Sequence, residues 1–311
     1  MRKEISKWAA PWLAALWLLA GCGGPTETPG QAGGRLWVAC TTGMVADLAR
    51  NLGGDRVEVD CLMGPGVDPH YYKASQGDLE RLSRAGLVLY NGLFLEGKME
   101  EIFAKMAREK RVVPVAGQLP PDRLRRPPEF DGHFDPHVWF DVSLWRQTIP
   151  TVVAALGAAD PEGAAEYQRR GAAYAARLDT LHHWVQDQIT AIPSDQRMLV
   201  TAHDAFGYFG RAYGVEVVGL QGISTVAEYG VNDVIRMVDL IMGRRLKAIF
   251  VESSVPQRSI NAVREGCRGR GHEVQIGGTL YSDAMGEPSS GADTYEGMVR
   301  ANVHTIAAAL K

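Results

Sequence analysis

Three histidines and one aspartate stand where a folded chain could gather them around a cation. The tripeptide Asp68-Pro69-His70 returns as Asp135-Pro136-His137. A proline before a histidine restricts the approach of the chain, so each repeat presents an imidazole from stiffened backbone. His203 closes Leu199-Val-Thr-Ala-His203, and Asp283 lies in Leu280-Tyr-Ser-Asp-Ala284. His70, His203 and Asp283 each follow a predicted strand, and His137 ends a long loop just before Val138-Trp-Phe. In open α/β sheets, ligands bind at the carboxyl ends of strands. Three imidazoles and a carboxylate suit Zn²⁺ and are tolerable for Mn²⁺ or Fe²⁺. Each residue alone reads more simply as a hydrogen-bonded, non-ligating side chain. The four together, two from each half of the chain, make a metal site in a cleft.

Other candidates are weaker. His133 lies four residues before His137 in the same loop, where it is a solvated loop residue or a secondary, transient ligand. Glu252 ends the buried run Ala248-Ile-Phe-Val-Glu252 beside Ser253 and Ser254. A carboxylate there needs a partner, so it lines the cleft behind a ligand or pairs with an arginine. His182, His183, His272 and His304 have no partner pattern.

The elements that must position these residues alternate strand with helix. Segments 36–40, 57–63, 87–90 and 111–115 read as strands, with helices at 44–52, after Ser75, and near 99–109. Such a rhythm means βα units and a largely parallel sheet. A polar, proline-rich loop, 118–136, follows and is long enough to suggest function. Then comes one long helical stretch. Tyr167, Tyr174, Leu178, Leu181, Val185 and Ile189 share one face, and about 28 residues at 1.5 Å each would span on the order of 40 Å. Beyond it, strands at 197–201, 215–219, 248–252 and 273–276 resume the rhythm, with helices at 208–212, 231–242 (Asn232 as cap), 259–266 and 294–310. The expected fold is α/β: two lobes of parallel sheet flanked by helices, 35–160 and 194–311, joined by a linking helix, 161–193.

The front of the 311-residue chain stands apart from that fold. Arg2, Lys3 and Lys7 precede a short apolar run ending Leu19-Ala20-Gly21-Cys22. The run is too short to span a bilayer and has the layout of a secretory signal. Small residues directly before Cys22 resemble a bacterial lipobox, which implies cleavage after residue 21 and a lipid on the Cys22 thiol. Segment 22–34 is rich in Gly, Pro and Thr and is expected to be a flexible tether. Losing residues 1–21 removes three basic residues and Glu4, taking the formal charge from −3 to −5. No basic excess remains for nucleic acid. Cys40, Cys61 and Cys267 show no CxxC spacing, against a zinc ribbon or a disulfide scaffold. Cys40 and Cys61 lie near the ends of predicted strands and are expected as buried thiols or, if the strands are neighbours, a disulfide.

The run Thr42-Gly-Met-Val-Ala-Asp47, the stretch Leu62-Met-Gly-Pro-Gly-Val-Asp-Pro-His70, and Leu89-Tyr-Asn-Gly-Leu93 with Glu96 are distinctive together. So are Asp135-Pro-His-Val-Trp139, Thr201-Ala-His-Asp-Ala-Phe206, Ile249-Phe-Val-Glu-Ser253 and Asp283. From about Leu36 to its end the chain resembles the metal-binding lipoproteins of bacterial zinc and manganese ABC importers, the cluster A-I or cluster 9 solute-binding proteins. The resemblance implies His70, His137, His203 and Asp283 as metal ligands and a monomer held outside the cytoplasm, in the periplasm or on the outer face of the cell membrane, by lipidated Cys22. It also implies a permease and its ATPase as partners. In that family a histidine as third ligand tends to accompany zinc and a glutamate manganese; His203 favours zinc. A His-rich loop between the first two ligands marks many zinc members, and here it holds only His133.

Four protein ligands fill a tetrahedral zinc shell and leave no place for an activated water, the chemical argument for a carrier, not an enzyme. The alternative from another class is a secreted metal-dependent hydrolase with Glu252 as base. Neither GxSxG nor HExxH occurs to support it.

Overall fold

The computed structural model describes residues 30–130 and 132–311. The signal segment, Cys22 and the tether through residue 29 lie outside the described residues.

The first lobe holds β1 (Gln31–Ala32), β2 (Arg35–Cys40), α1 (Gly43–Gly53), β3 (Val57–Cys61), α2 (Gln76–Arg84), β4 (Leu87–Tyr90), α3 (Glu100–Met106) and β5 (Val112–Pro114). Strands β3, β2, β4 and β5 are parallel neighbours in that order, as the βα rhythm requires. Gln31 and Ala32, assigned above to the tether, instead pair antiparallel with the start of β2. Two backbone pairs suffice to hold them, and no apolar period is needed to announce a strand so short. Helix α2 begins at a reciprocal cap: Ser75 Oγ accepts from the Asp78 N–H at 3.2 Å while Asp78 accepts from the Ser75 N–H at 2.8 Å.

No element was expected over 142–159, where the chain forms α4 (Val142–Trp145) and α5 (Ile149–Ala159). The segment is apolar on several sides and packs against its neighbours, so it lacks the one-sided stripe that makes a surface helix legible. The long helix is α6 (Ala164–Thr190), 27 residues, and it buries the stripe read from the sequence: Tyr167, Tyr174, Leu178, Leu181, Val185 and Ile189, with Gly171 between.

The second lobe follows with β6 (Met198–His203), α7 (Gly207–Tyr213), β7 (Glu216–Gln221), α8 (Val231–Arg244), β8 (Ala248–Glu252), α9 (Arg258–Gly269), β9 (Gln275–Leu280) and α10 (Tyr295–Leu310). Strands β6 and β7 pair in parallel, as do β8 and β9, and β6 lies beside β8. Strand β9 runs through Gly277 and Gly278, further than expected. A Cβ at Gly277 would come within 2.8 Å of the Phe250 ring and 2.7 Å of Ala309, so the glycines mark close packing rather than a turn. The cap of α8 is Gly230, not Asn232: its N–H donates to Asp233 at 2.7 Å.

The core has a shape that matters for the site. One continuous cluster takes in β2, α1 and α5, the buried face of α6, and Phe206, Phe250, Tyr295, Val303 and Leu310 from the second half. Two smaller clusters serve one lobe each. Because both lobes share the α6 core, they should unfold as one unit. Tyr174→Ala removes a ring 2% exposed whose hydroxyl donates to Asp47 at 3.3 Å. It should cost about 3–5 kcal/mol. Urea denaturation followed by circular dichroism and fluorescence should give one coincident, shifted transition; two separated transitions would refute the shared core.

Candidate metal centre

His70, His137, His203 and Asp283 come together as the sequence led one to expect, each buried, with ligand atoms all within 4.8 Å of one another. The ring nitrogens converge. His70 Nε2 lies 3.4 Å from His137 Nε2. Asp283 Oδ1 is 3.3 Å from His137 Nε2, and its Oδ2 is 3.2 Å from His203 Nε2 and 3.9 Å from His70 Nε2.

Each histidine is aimed by a carboxylate. In the two Asp-Pro-His repeats the aspartate turns back to accept the histidine N–H, Asp68 at 2.9 Å and Asp135 at 3.0 Å. Asp135 also takes the Nδ1–H of His137 at 2.8 Å, which fixes the ring and leaves Nε2 for the centre. Its other oxygen meets Arg125 at 2.5 Å. Asp68 instead accepts from Thr225 Oγ of the opposite lobe at 2.6 Å. His203 is the last residue of β6; Glu252, at the end of neighbouring β8, accepts its N–H at 2.8 Å and approaches its Nδ1 to 2.5 Å. Glu252 thus lies behind His203, away from the centre. Asp283 is reached through Trp139, whose Nε1–H donates to the Ser282 carbonyl at 3.1 Å while its ring lies edge-on to His137.

The proline stiffens each repeat, and the aspartate before it closes the turn onto the histidine backbone N–H. An Asp two residues ahead of a functional side chain is a turn signal that its spacing could have revealed. His133 lies outside the four-residue cluster: its ring stacks on Phe94 at 4.3 Å and 12°. Cys40 and Cys61 are register partners on β2 and β3 and are free thiols.

The electrostatics describe a cage that needs a cation. Both oxygens of Asp283 are buried and take no aligned hydrogen bond among the described residues; both ring nitrogens of His203 are likewise without one. Buried polar atoms are nearly always satisfied, so these orphaned groups fit a divalent ion. Burial would push the Asp283 carboxyl up, but His203 and His137 outweigh it and hold it well below the usual range. Burial also opposes charge on His137, yet Asp135 and Asp283 raise it to about 9. In the same way Glu252 and Asp283 overcome burial and raise His203 well above its ordinary value. His70 is lowered to about 3, chiefly by burial.

A buried cage of three imidazoles and one carboxylate, set in a two-lobed α/β frame, is built to hold an ion. The molecule is of the class of solute-binding proteins that serve metal ABC importers. The family described as "Zinc-uptake complex component A periplasmic", ZnuA, matches residues 38–309, and the chain belongs to that family. It is 49% identical over 301 residues, covering 96% of this chain and 97% of the other, to the manganese-binding lipoprotein MntA of Bacillus subtilis. It is 47% identical over 279 residues, 90% of each chain, to the zinc-binding protein TroA of Treponema pallidum. The solved structure of that periplasmic zinc-binding protein superposes with a TM-score of 0.86 at 46% identity, covering 89% of this chain and 99% of the other. The chain is a transport protein, not an enzyme.

Two predictions follow from the geometry. Glu252→Gln should keep the fold and weaken metal binding about 10–100-fold, the usual effect of removing a ligand's hydrogen-bonded partner; unchanged affinity in a competition titration would contradict its role behind His203. The second concerns protons. His137, with its value raised to about 9, is protonated at pH 7.5 without metal and must be neutral to ligate. Affinity should therefore rise with pH up to about 9. Calorimetry in buffers of different ionisation enthalpy should find about one or two protons released per ion; none released would contradict the prediction.

Proposed function

We propose that the chain binds one divalent ion with His70, His137, His203 and Asp283 as ligands, zinc in preference to manganese, and delivers it to a membrane permease whose ATPase drives uptake. The observation that carries this reading is the convergence of three imidazole nitrogens and a carboxylate at one buried point. Three nitrogens and one oxygen match a tetrahedral zinc shell, and the third donor, His203, is nitrogen rather than oxygen. Asp283 turns both oxygens toward the centre, which would also suit the higher coordination number of manganese and makes it the second choice. The names of the relatives divide in the same way: MntA is manganese-binding and TroA zinc-binding.

The rest of the arrangement is part of the same proposal. The protein works outside the cytoplasm as a monomer, anchored by a lipid on Cys22, with residues 22–34 as tether. Residues 35–160 form one lobe, 161–193 the linking helix and 194–311 the other lobe. Since α6 belongs to the core of both lobes, release comes from local movement of cleft loops rather than from wide opening.

Elemental analysis of residues 23–311, purified as a soluble form, is the direct test, with zinc and manganese competition titrations and His203→Ala alongside. One equivalent of zinc is expected, resistant to manganese and lost in the variant. Manganese retained against zinc would reverse the metal order, and no stoichiometric metal would refute the site.

A further inference from the structure

Between β4 and α3 the chain makes a turn, Asn91-Gly-Leu-Phe-Leu-Glu96, that the metal cage does not use. Gly92, Leu93 and Phe94 all have positive φ: 82°, 56° and 69°. Glycine adopts this region freely, but two successive bulky L-residues there are strained and persist only when their surroundings enforce it.

Glu96 supplies the enforcement. Its side chain is fully buried; Oε1 accepts from Thr41 Oγ at 2.7 Å and from the Asn91 N–H at 2.8 Å, and Oε2 accepts from the Gly92 N–H at 3.1 Å. The carboxylate thereby ties the end of the turn to its first two residues and to the loop after β2. The Asn91 side chain continues the chain of bonds, donating at 3.1 Å to the carbonyl of Pro136, the residue before His137.

The strained turn sets Phe94 on the surface, 41% exposed, with its ring stacked on His133 and near Phe130. Phe94 and Phe130 line a cavity of about 340 Å³ together with Gly222, Ile223, Val226 and His70. Since the four cage residues are at most 3% exposed, an ion must cross packed protein to reach them. This cavity has one cage ligand, His70, in its lining and Phe94 at its edge, so it is the candidate approach to the cage.

We propose that Glu96 is a positioning residue that sets how fast metal enters and leaves, by holding the strained turn that fixes Phe94 as a wall of this vestibule. The proposal rests on the reading of the cage as a metal site. Glu96 does not touch the ion, so it governs the barrier and leaves the bound state alone. Loosening the wall therefore speeds both directions alike.

The test is stopped-flow transfer of Zn²⁺ between the protein and a fluorescent chelator, for the wild type, Glu96→Gln and Phe94→Ala. Glu96→Gln replaces one of the two accepting oxygens with an NH2 donor, so at least one of the N–H groups of Asn91 and Gly92 loses its acceptor, which should release Phe94. Phe94→Ala removes the wall but keeps the Glu96 bonds and alters only a half-exposed ring, so it reports even where Glu96→Gln folds poorly. Both variants should raise association and dissociation rates by about tenfold, a barrier change of about 1.4 kcal/mol, with the equilibrium constant held within about twofold. Unchanged rates in Phe94→Ala would overturn the proposal. So would a faster dissociation with matching loss of affinity, which would place the effect in the cage itself. A wild-type protein that took up no Zn²⁺ would refute the metal-site reading on separate grounds.

Discussion

The structure depends on keeping one carboxylate out of water. Asp283 lies between three imidazoles with both oxygens buried and, among the described residues, neither in an aligned hydrogen bond. A lone ionised carboxylate in such a place would be expensive to bury, and the ordinary escape is to take up a proton. Here the surrounding imidazoles keep it ionised instead. Positive charge on the neighbouring histidines, or a metal ion in their place, is what compensates it. The cage exchanges one form of positive charge for another.

The three imidazoles are not equivalent within that scheme. His203 faces Glu252, which meets no arginine or lysine among the described residues. His137 faces Asp135, whose charge is shared with Arg125. His70 has its backbone fixed by Asp68, while no carboxylate lies against its Nδ1 among the described residues. A carboxylate behind an imidazole raises its basicity as a ligand. Donor strength accordingly falls from His203 through His137 to His70, and the weakest donor is the one that borders the vestibule.

Much of this was legible in the sequence. The α6 stripe is legible because six apolar positions, Tyr167 to Ile189, recur at helical spacing along a run with no interior proline. The strands of both lobes were visible through β-branched runs bounded by turns. The four cage residues stood out because two shared a tripeptide and the others followed strands. What stayed hidden had physical reasons. Helix α5 is apolar on more than one side, so it has no period to detect. The continuation of β9 through Gly277 and Gly278 depends on how closely Phe250 and Ala309 approach, a tertiary fact. The turn each aspartate makes with its histidine is local and readable, whereas the bonds of Asp68 to Thr225 and of Asp135 to Arg125 join partners that sequence separation conceals. For Glu96, a buried carboxylate bonded to backbone N–H groups leaves no compositional trace beyond a glutamate after Asn-Gly.

The shared core around α6 also bears on inheritance. Leu52 and Trp145 from one half and Tyr295 and Leu310 from the other belong to the same packed cluster. A lobe exchanged wholesale with a cousin would arrive without the packing partners that its interior has in the other lobe. Recombination at the lobe boundary is thus a poor way to make new members of this family. A change of cargo has to be reached by single replacements inside a scaffold passed on entire, which accords with a manganese-binding and a zinc-binding relative standing almost equally near to one chain.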